Sequence, residues 1–161
     1  MLLEFTNKIK LLLIASLLLG ITHKSQAQEC VNFHKKYCIS YEKDGYAPLI
    51  ESRSFQLMKG EYVNQDLTFN NGQDYHINVA VDDMFGNRLY MQIIDLDKNK
   101  VLYTNTEDNM NLNLEFSALE TVNVRITLET PASNSESTYE VKGCLGLLIE
   151  TRPTPPTGFL K

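Results

Sequence analysis

The segment "YHINVAVD", Tyr75 to Asp82, alternates apolar and polar residues without a break. Side chains of a strand project to opposite faces with a period of two, so this pattern predicts a strand with Tyr75, Ile77, Val79 and Val81 facing a core. His76, Asn78, Ala80 and Asp82 then face outward to water. A chain that repeats this pattern is committed to sheets. "FQLMKG" sets Phe55 and Leu57 on one side before a turn at Lys59–Gly60, and "DLTF" does the same with Leu67 and Phe69. "NNGQD" follows, and its Asn71–Gly72 pair suits a tight hairpin, where positive backbone φ is required.

The pattern continues past "DDMFGN". "RLYMQII" places Leu89, Met91 and Ile93 inward, which makes Tyr90 the most exposed strand tyrosine. "KVLYTN" returns after "DLDKNK" as the second arm of a hairpin. "MNLNLEF" offers Leu112, Leu114 and Phe116, and "TVNVRITLE" offers Val122, Val124, Ile126 and Leu128. The polar "TPASNSES", with Pro131, suits a surface loop before the closing apolar strand "KGCLGLLIE". Gly143 and Gly146 in that strand predict a bulge or the close approach of another backbone. There is no internal repeat and no long helical period; "ECVNFHKKY" has room for one short helix. About eight short strands with regular turns predict an all-β, antiparallel β-sandwich of jelly-roll type, with a barrel as the rival.

The first 27 residues have the composition of an export signal. Lys8 and Lys10 lead a short apolar run from Leu11 to Ile21, and Ser25 and Ala27 occupy the small positions before a cleavage site. The run is shorter than the ~18 apolar residues that a retained anchor needs. Residues 28–51 then form a cysteine-containing N-terminal segment, 52–151 the sandwich, and 152–161 a proline-rich tail. Losing Lys8, Lys10, Lys24 and Glu4 takes the formal charge from −5 to −7. An acidic exported protein repels nucleic acid and anionic lipid headgroups, which leaves an envelope protein or a glycan as the expected partner.

Three cysteines, Cys30, Cys38 and Cys144, allow one internal bridge and leave one thiol over. On a straight helix Cys30 and Cys38 would lie about 12 Å apart, so pairing them needs a bend. Their closeness in sequence favours Cys30–Cys38, with Cys144 a packed thiol in the last strand. A bridge from either one to Cys144 is the alternative.

Within this frame "GQDYHINVAVDD", "LYMQIIDLDKNKVLYTN", "LEFSALETVNVRITLE" and "YEVKGCLG" follow one another in an order that resembles the pre-peptidase C-terminal (PPC) β-sandwich domain, over Lys59 to Ile149. The "IDLDKNKVL" hairpin and the long last strand depart from that family's pattern. Nearly the whole mature chain also resembles small exported proteins of Bacteroidetes-type bacteria that end in a "GC-x-x-x-LIE" strand and a proline-containing tail. These resemblances imply a sandwich and carry no activity with them.

Few residues offer chemistry. Asp95, Asp97 and Asn99 alternate as calcium-loop oxygens do, but Lys100 and Thr106 stand where such a loop needs a glycine and a glutamate. Asp82 and Asp83, with the loop through Asn87, are a second, weaker metal candidate. His34 lies in the basic "FHKKY", expected to be solvated, and His76 on the wet face of its strand. Neither belongs to a nucleophilic constellation, and no cofactor motif is present. The mature chain has no tryptophan to stack on sugars and keeps all eight tyrosines. Tyr37, Tyr41, Tyr46 and Tyr62 would serve either as binding surface or as cover for the sandwich edges. The expectation is an exported, non-enzymatic binding or accessory protein of the envelope, the alternative being a carbohydrate- or calcium-dependent module.

Overall fold

A computed structural model of the chain describes residues 30–86, 88–132 and 142–156. The expected export signal, Asn87, most of "TPASNSES" and the end of the tail lie outside the described residues. Among these residues one short α-helix, α1 (Phe33–Tyr37), precedes nine strands. They are β1 (Ala47–Pro48), β2 (Arg53–Met58), β3 (Tyr62–Phe69), β4 (Gln73–Val81), β5 (Tyr90–Asp95), β6 (Lys100–Thr104), β7 (Asn113–Ala118), β8 (Val122–Glu129) and β9 (Lys142–Pro153).

The strands form two antiparallel sheets facing one another, as the alternation predicts, and no barrel. The first runs β1-β9-β4-β7, with β2 continuing along β9 beside β1, and the second runs β3-β8-β5-β6. "KGCLGLLIE" lies in the interior strand β9, paired to β2 over Lys142–Leu147 and to β4 over Leu145–Pro153. Leu145, Leu147 and Ile149 point inward beside Val79 and Ile77, against Met91, Ile93, Val124, Ile126 and Leu128 of the facing sheet. Burial of aliphatic and aromatic surface at about 25 cal/mol per Å² is what holds the two layers together.

The outer face of the first sheet departs from expectation. Residues 30–46 lie across it, with α1 packed on β9, β2 and β4, so β4 and β9 are buried on both faces. His76, placed in water by the alternation, is 0% exposed, and His34, expected to be solvated, is buried with its Nδ1 2.8 Å from Ser54 Oγ. The alternation had the right face for His76; what it could not show is that the N-terminal strap covers that face. Gly146 makes the coverage possible, because a Cβ there would stand 2.6 Å from His34 Cα. The close backbone approach expected at this glycine is therefore α1 resting on β9.

The disulfide is also corrected. Cys30 bonds to Cys144, with Cα atoms 5.2 Å apart, and Cys38 is the free thiol. α1 lies between Cys30 and Cys38 and carries them apart, while the outer face of β9 presents Cys144 to the start of the strap. Cys144 is thus a staple and not a packed thiol. Among the tyrosines, Tyr46 is buried and Tyr41 and Tyr90 are half-buried, whereas Tyr37 and Tyr62 are exposed. Tyr62, at the outer edge of the second sheet, is more exposed than Tyr90, which its neighbours on both sides partly cover.

Candidate functional site

Two regions gather side chains with chemical potential. The first is polar and lies beneath the strap. Antiparallel register sets His76 of β4 opposite Glu150 of β9 and Glu115 of β7, and Asn78 opposite Asn113, all on the outer face. The N–H of Ile39 donates to Asn78 Oδ1 at 2.9 Å, so the Asn78 amide nitrogen must face Asn113, whose Oδ1 it meets at 3.0 Å. That Oδ1 also lies 2.6 Å from His76 Nε2, which is therefore a donor. His76 Nδ1 stands 2.8 Å from Glu150 Oε2.

Glu150 also accepts the Ser40 hydroxyl at 2.6 Å and the Tyr41 N–H at 2.9 Å. Burial pushes its carboxyl up, but Ser40, Tyr41 and His76 together outweigh that and hold it below its ordinary value. His76 and Glu150 thus form a bridge in which both partners are at most 1% exposed. Tyr41 stacks flat on the imidazole at 3.9 Å between centroids. Tyr46 meets the imidazole edge-on, donates its phenol to Glu115 at 2.6 Å and lies under the Arg152 guanidinium. Burial, together with Glu115, pushes that phenol well above its ordinary value.

Ser40, His76 and Glu150 are the residue types of a hydrolytic triad in an order that cannot work. Glu150 lies between the other two, so the imidazole does not reach the hydroxyl and cannot take its proton. Cys38 lines a neighbouring cavity of about 550 Å³ with His34, Leu148 and Glu150. Burial pushes its thiol up to about 11, which leaves it protonated and unreactive at neutral pH. Asn78, Glu115, Glu150 and Arg152 each spend a hydrogen bond on the strap.

The second region is apolar and open. The first sheet ends at β7 and the second at β6, and the two edges face each other across a cleft of about 310 Å³. Ile93, Leu102, Tyr103, Leu114 and Phe116 line it, and Leu119, 88% exposed, stands at its rim. Leu102 is 46% exposed, an uncommon position for leucine. The Tyr103 phenol donates to Asp108 at 3.1 Å, and burial with that contact pushes it up to about 12.

The metal candidates are held in turns. Asp95 Oδ1 accepts the N–H groups of Asp97 and Lys98 at 2.9 and 2.8 Å, and these, above all that of Lys98, keep it below the usual carboxylate range. Asp97 Oδ2 accepts from Asn123, and Asn99 takes a left-handed turn conformation. Asp82 caps the turn at Asp83–Phe85 through the Met84 N–H, and Asp83 is exposed. Among the described residues no three His, Cys, Asp or Glu side chains are grouped as metal ligands.

Sequence reasoning missed both regions. The polar one had a signal in Glu150, a carboxylate ending the most apolar strand, but its partners Ser40, Tyr41 and His76 come from two segments far from it in sequence. The cleft had none, since its walls are ordinary inward residues of two edge strands.

Fold and site together define a two-sheet antiparallel β-sandwich, strapped and stapled on one outer face and open to solvent at one edge. Comparison with family models and with curated proteins returned no match. Among solved structures, the Aeromonas hydrophila protein PliG, a periplasmic lysozyme inhibitor of g-type lysozyme, is 8% identical, with a TM-score of 0.46 over 71% of this chain and 93% of that one. The likeness is one of outline. Among the described residues no helix is long and apolar enough to cross a membrane.

Proposed function

We propose that the chain is an exported, non-enzymatic β-sandwich protein that binds a partner in the cell envelope, in the periplasm or at the surface, after cleavage behind Ala27. The observation that carries this reading is the pairing of its two regions. Ser40, His76 and Glu150 are engaged with one another in anchoring the strap, while the cleft between the β6 and β7 edges is lined mainly by apolar side chains. An apolar cleft with few polar groups is the usual form of a binding site. The resemblance to the PPC sandwich belongs with this proposal, as a relation of fold that carries no substrate.

A pull-down of the tagged, exported protein from its own envelope tests it. The expected result is a specific protein partner, with the tagged chain recovered lacking residues 1–27. Recovery of no protein, together with a response on a glycan array, would overturn it in favour of a carbohydrate-binding module.

A further inference from the structure

Resting on that reading, we infer that the β6–β7 cleft receives a protein segment presenting one large apolar side chain beside a lysine or arginine. Size is the first argument. About 310 Å³ is at the low end of small-molecule sites, and it suits the insertion of a single anchor residue more than a whole ligand. The apolar lining is continuous with exposed Leu102 and Leu119, so an anchor would also cover the rim.

Charge is the second. The exposed charged group at its rim is the Glu120 carboxylate, with the buried Asp95 carboxylate behind it in the turn, and among the described residues no basic side chain lines it. Lys98, from the turn beside them, places its ammonium 2.6 Å from Glu120 and 3.6 Å from Asp95. The chain thus shows with its own side chain which charge this rim selects. The Lys98–Glu120 pair is exposed on both sides, and such pairs are weak, so an incoming cation can join or displace Lys98. A net charge of −7 on the mature chain adds long-range attraction for a cationic partner.

The backbone argues against strand addition as the mode. A β-bulge interrupts the β5–β6 register between Ile93 and Ile94, and bulges at a sheet edge twist it away from a further strand. Recognition falls to the side chain and its charged neighbour.

Methyl-resolved NMR of the whole mature protein tests the inference with three blocked pentapeptides at millimolar concentration. One carries phenylalanine between lysines, one phenylalanine between glutamates, and one alanine between lysines. The first is expected to shift the methyl groups of Ile93, Leu102, Leu114 and Leu119, with the second at least about fivefold weaker and the third silent. Lys98→Ala should tighten the first peptide, and Glu120→Lys should loosen it and favour the second. Both positions are exposed and lie outside the core, so the fold survives either change.

Equal affinity whatever the charge, or shifts away from the cleft, would overturn the inference. So would cleft shifts on deleting residues 157–161, which would make Phe159, Leu160 and Lys161 of the chain itself the occupant. If the envelope pull-down retrieves a protein while the peptides fail, the inference falls and the binding function stands. If both fail, the functional reading falls with it.

Discussion

His76 and Glu150 make a bridge that is fully withdrawn from water, and its energetics are asymmetric. A buried carboxylate and the partner that satisfies it add little over a well-packed apolar pair, but removing one leaves the other stranded. Glu150→Gln is therefore expected to lower unfolding stability by about 3 kcal/mol, read from the denaturant midpoint. Replacing His76 and Glu150 together by leucine should cost clearly less than the sum of the two single changes; simple additivity would show that the two do not act as a pair. Asp74, held by Ser117, Thr154 and Arg152, Asp95 and Glu150 all lie below their ordinary values. Unfolded carboxyls titrate near ~4, so the stabilisation is complete above that pH and is lost as pH falls through the lower folded values. Burial also holds His34 below its ordinary value, so thermal melts should show stability falling as pH drops below about 6.5 and more steeply below about 4. A protein that gained stability on acidification would contradict these assignments.

At the scale of elements, β9 organises half the molecule. One face fills the core, and the other receives α1 at Gly146, the bridge at Cys144 and the strap's polar anchor at Glu150. The Gly146→Ala methyl would meet the backbone of α1, which cannot give as a side chain would, so it should cost about 1–3 kcal/mol by overpacking. It should also speed amide exchange in residues 33–46 before the rest of the sheet, because those residues depend on the contact. Cys144→Ser opens a loop of sequence separation 114 and should cost about 2–4 kcal/mol, whereas Cys38→Ser should change little. Equal losses from Cys30→Ser and Cys38→Ser would contradict the observed pairing.

The same strand shows what the sequence carries and what it does not. Period two gave the strands and their inward residues correctly, from Phe55 through Leu128, because alternation reports directly on the face that each residue occupies. It is silent on what covers the other face. His76 and Asn78 were therefore legible as outward residues and illegible as buried ones, because residues 30–46 lie across them. The cysteine pairing failed for the same reason: nearness along the chain favoured Cys30–Cys38, while nearness in space was decided by how the strap lies on β9.

For the whole molecule, the order of strands ends the two sheets in β1, β2 and β3 on one side and in β7 and β6 on the other. No local pattern in β6 or β7 announces that Leu102, Leu114 and Phe116 will face each other across an open gap, because the gap is a property of topology. This cleft carries the functional account, and the exposed Leu119 at its rim gives direct access to it in cells. The most direct measurement places a photo-crosslinking side chain at position 119 of the full exported protein, with Ile50, also exposed and absent from the cleft lining, as the control position. The account predicts one dominant envelope-protein adduct from position 119, lost when Glu120→Lys is added, and none from position 50. An adduct from position 50 alone, or one from 119 that ignores the change at Glu120, would contradict it.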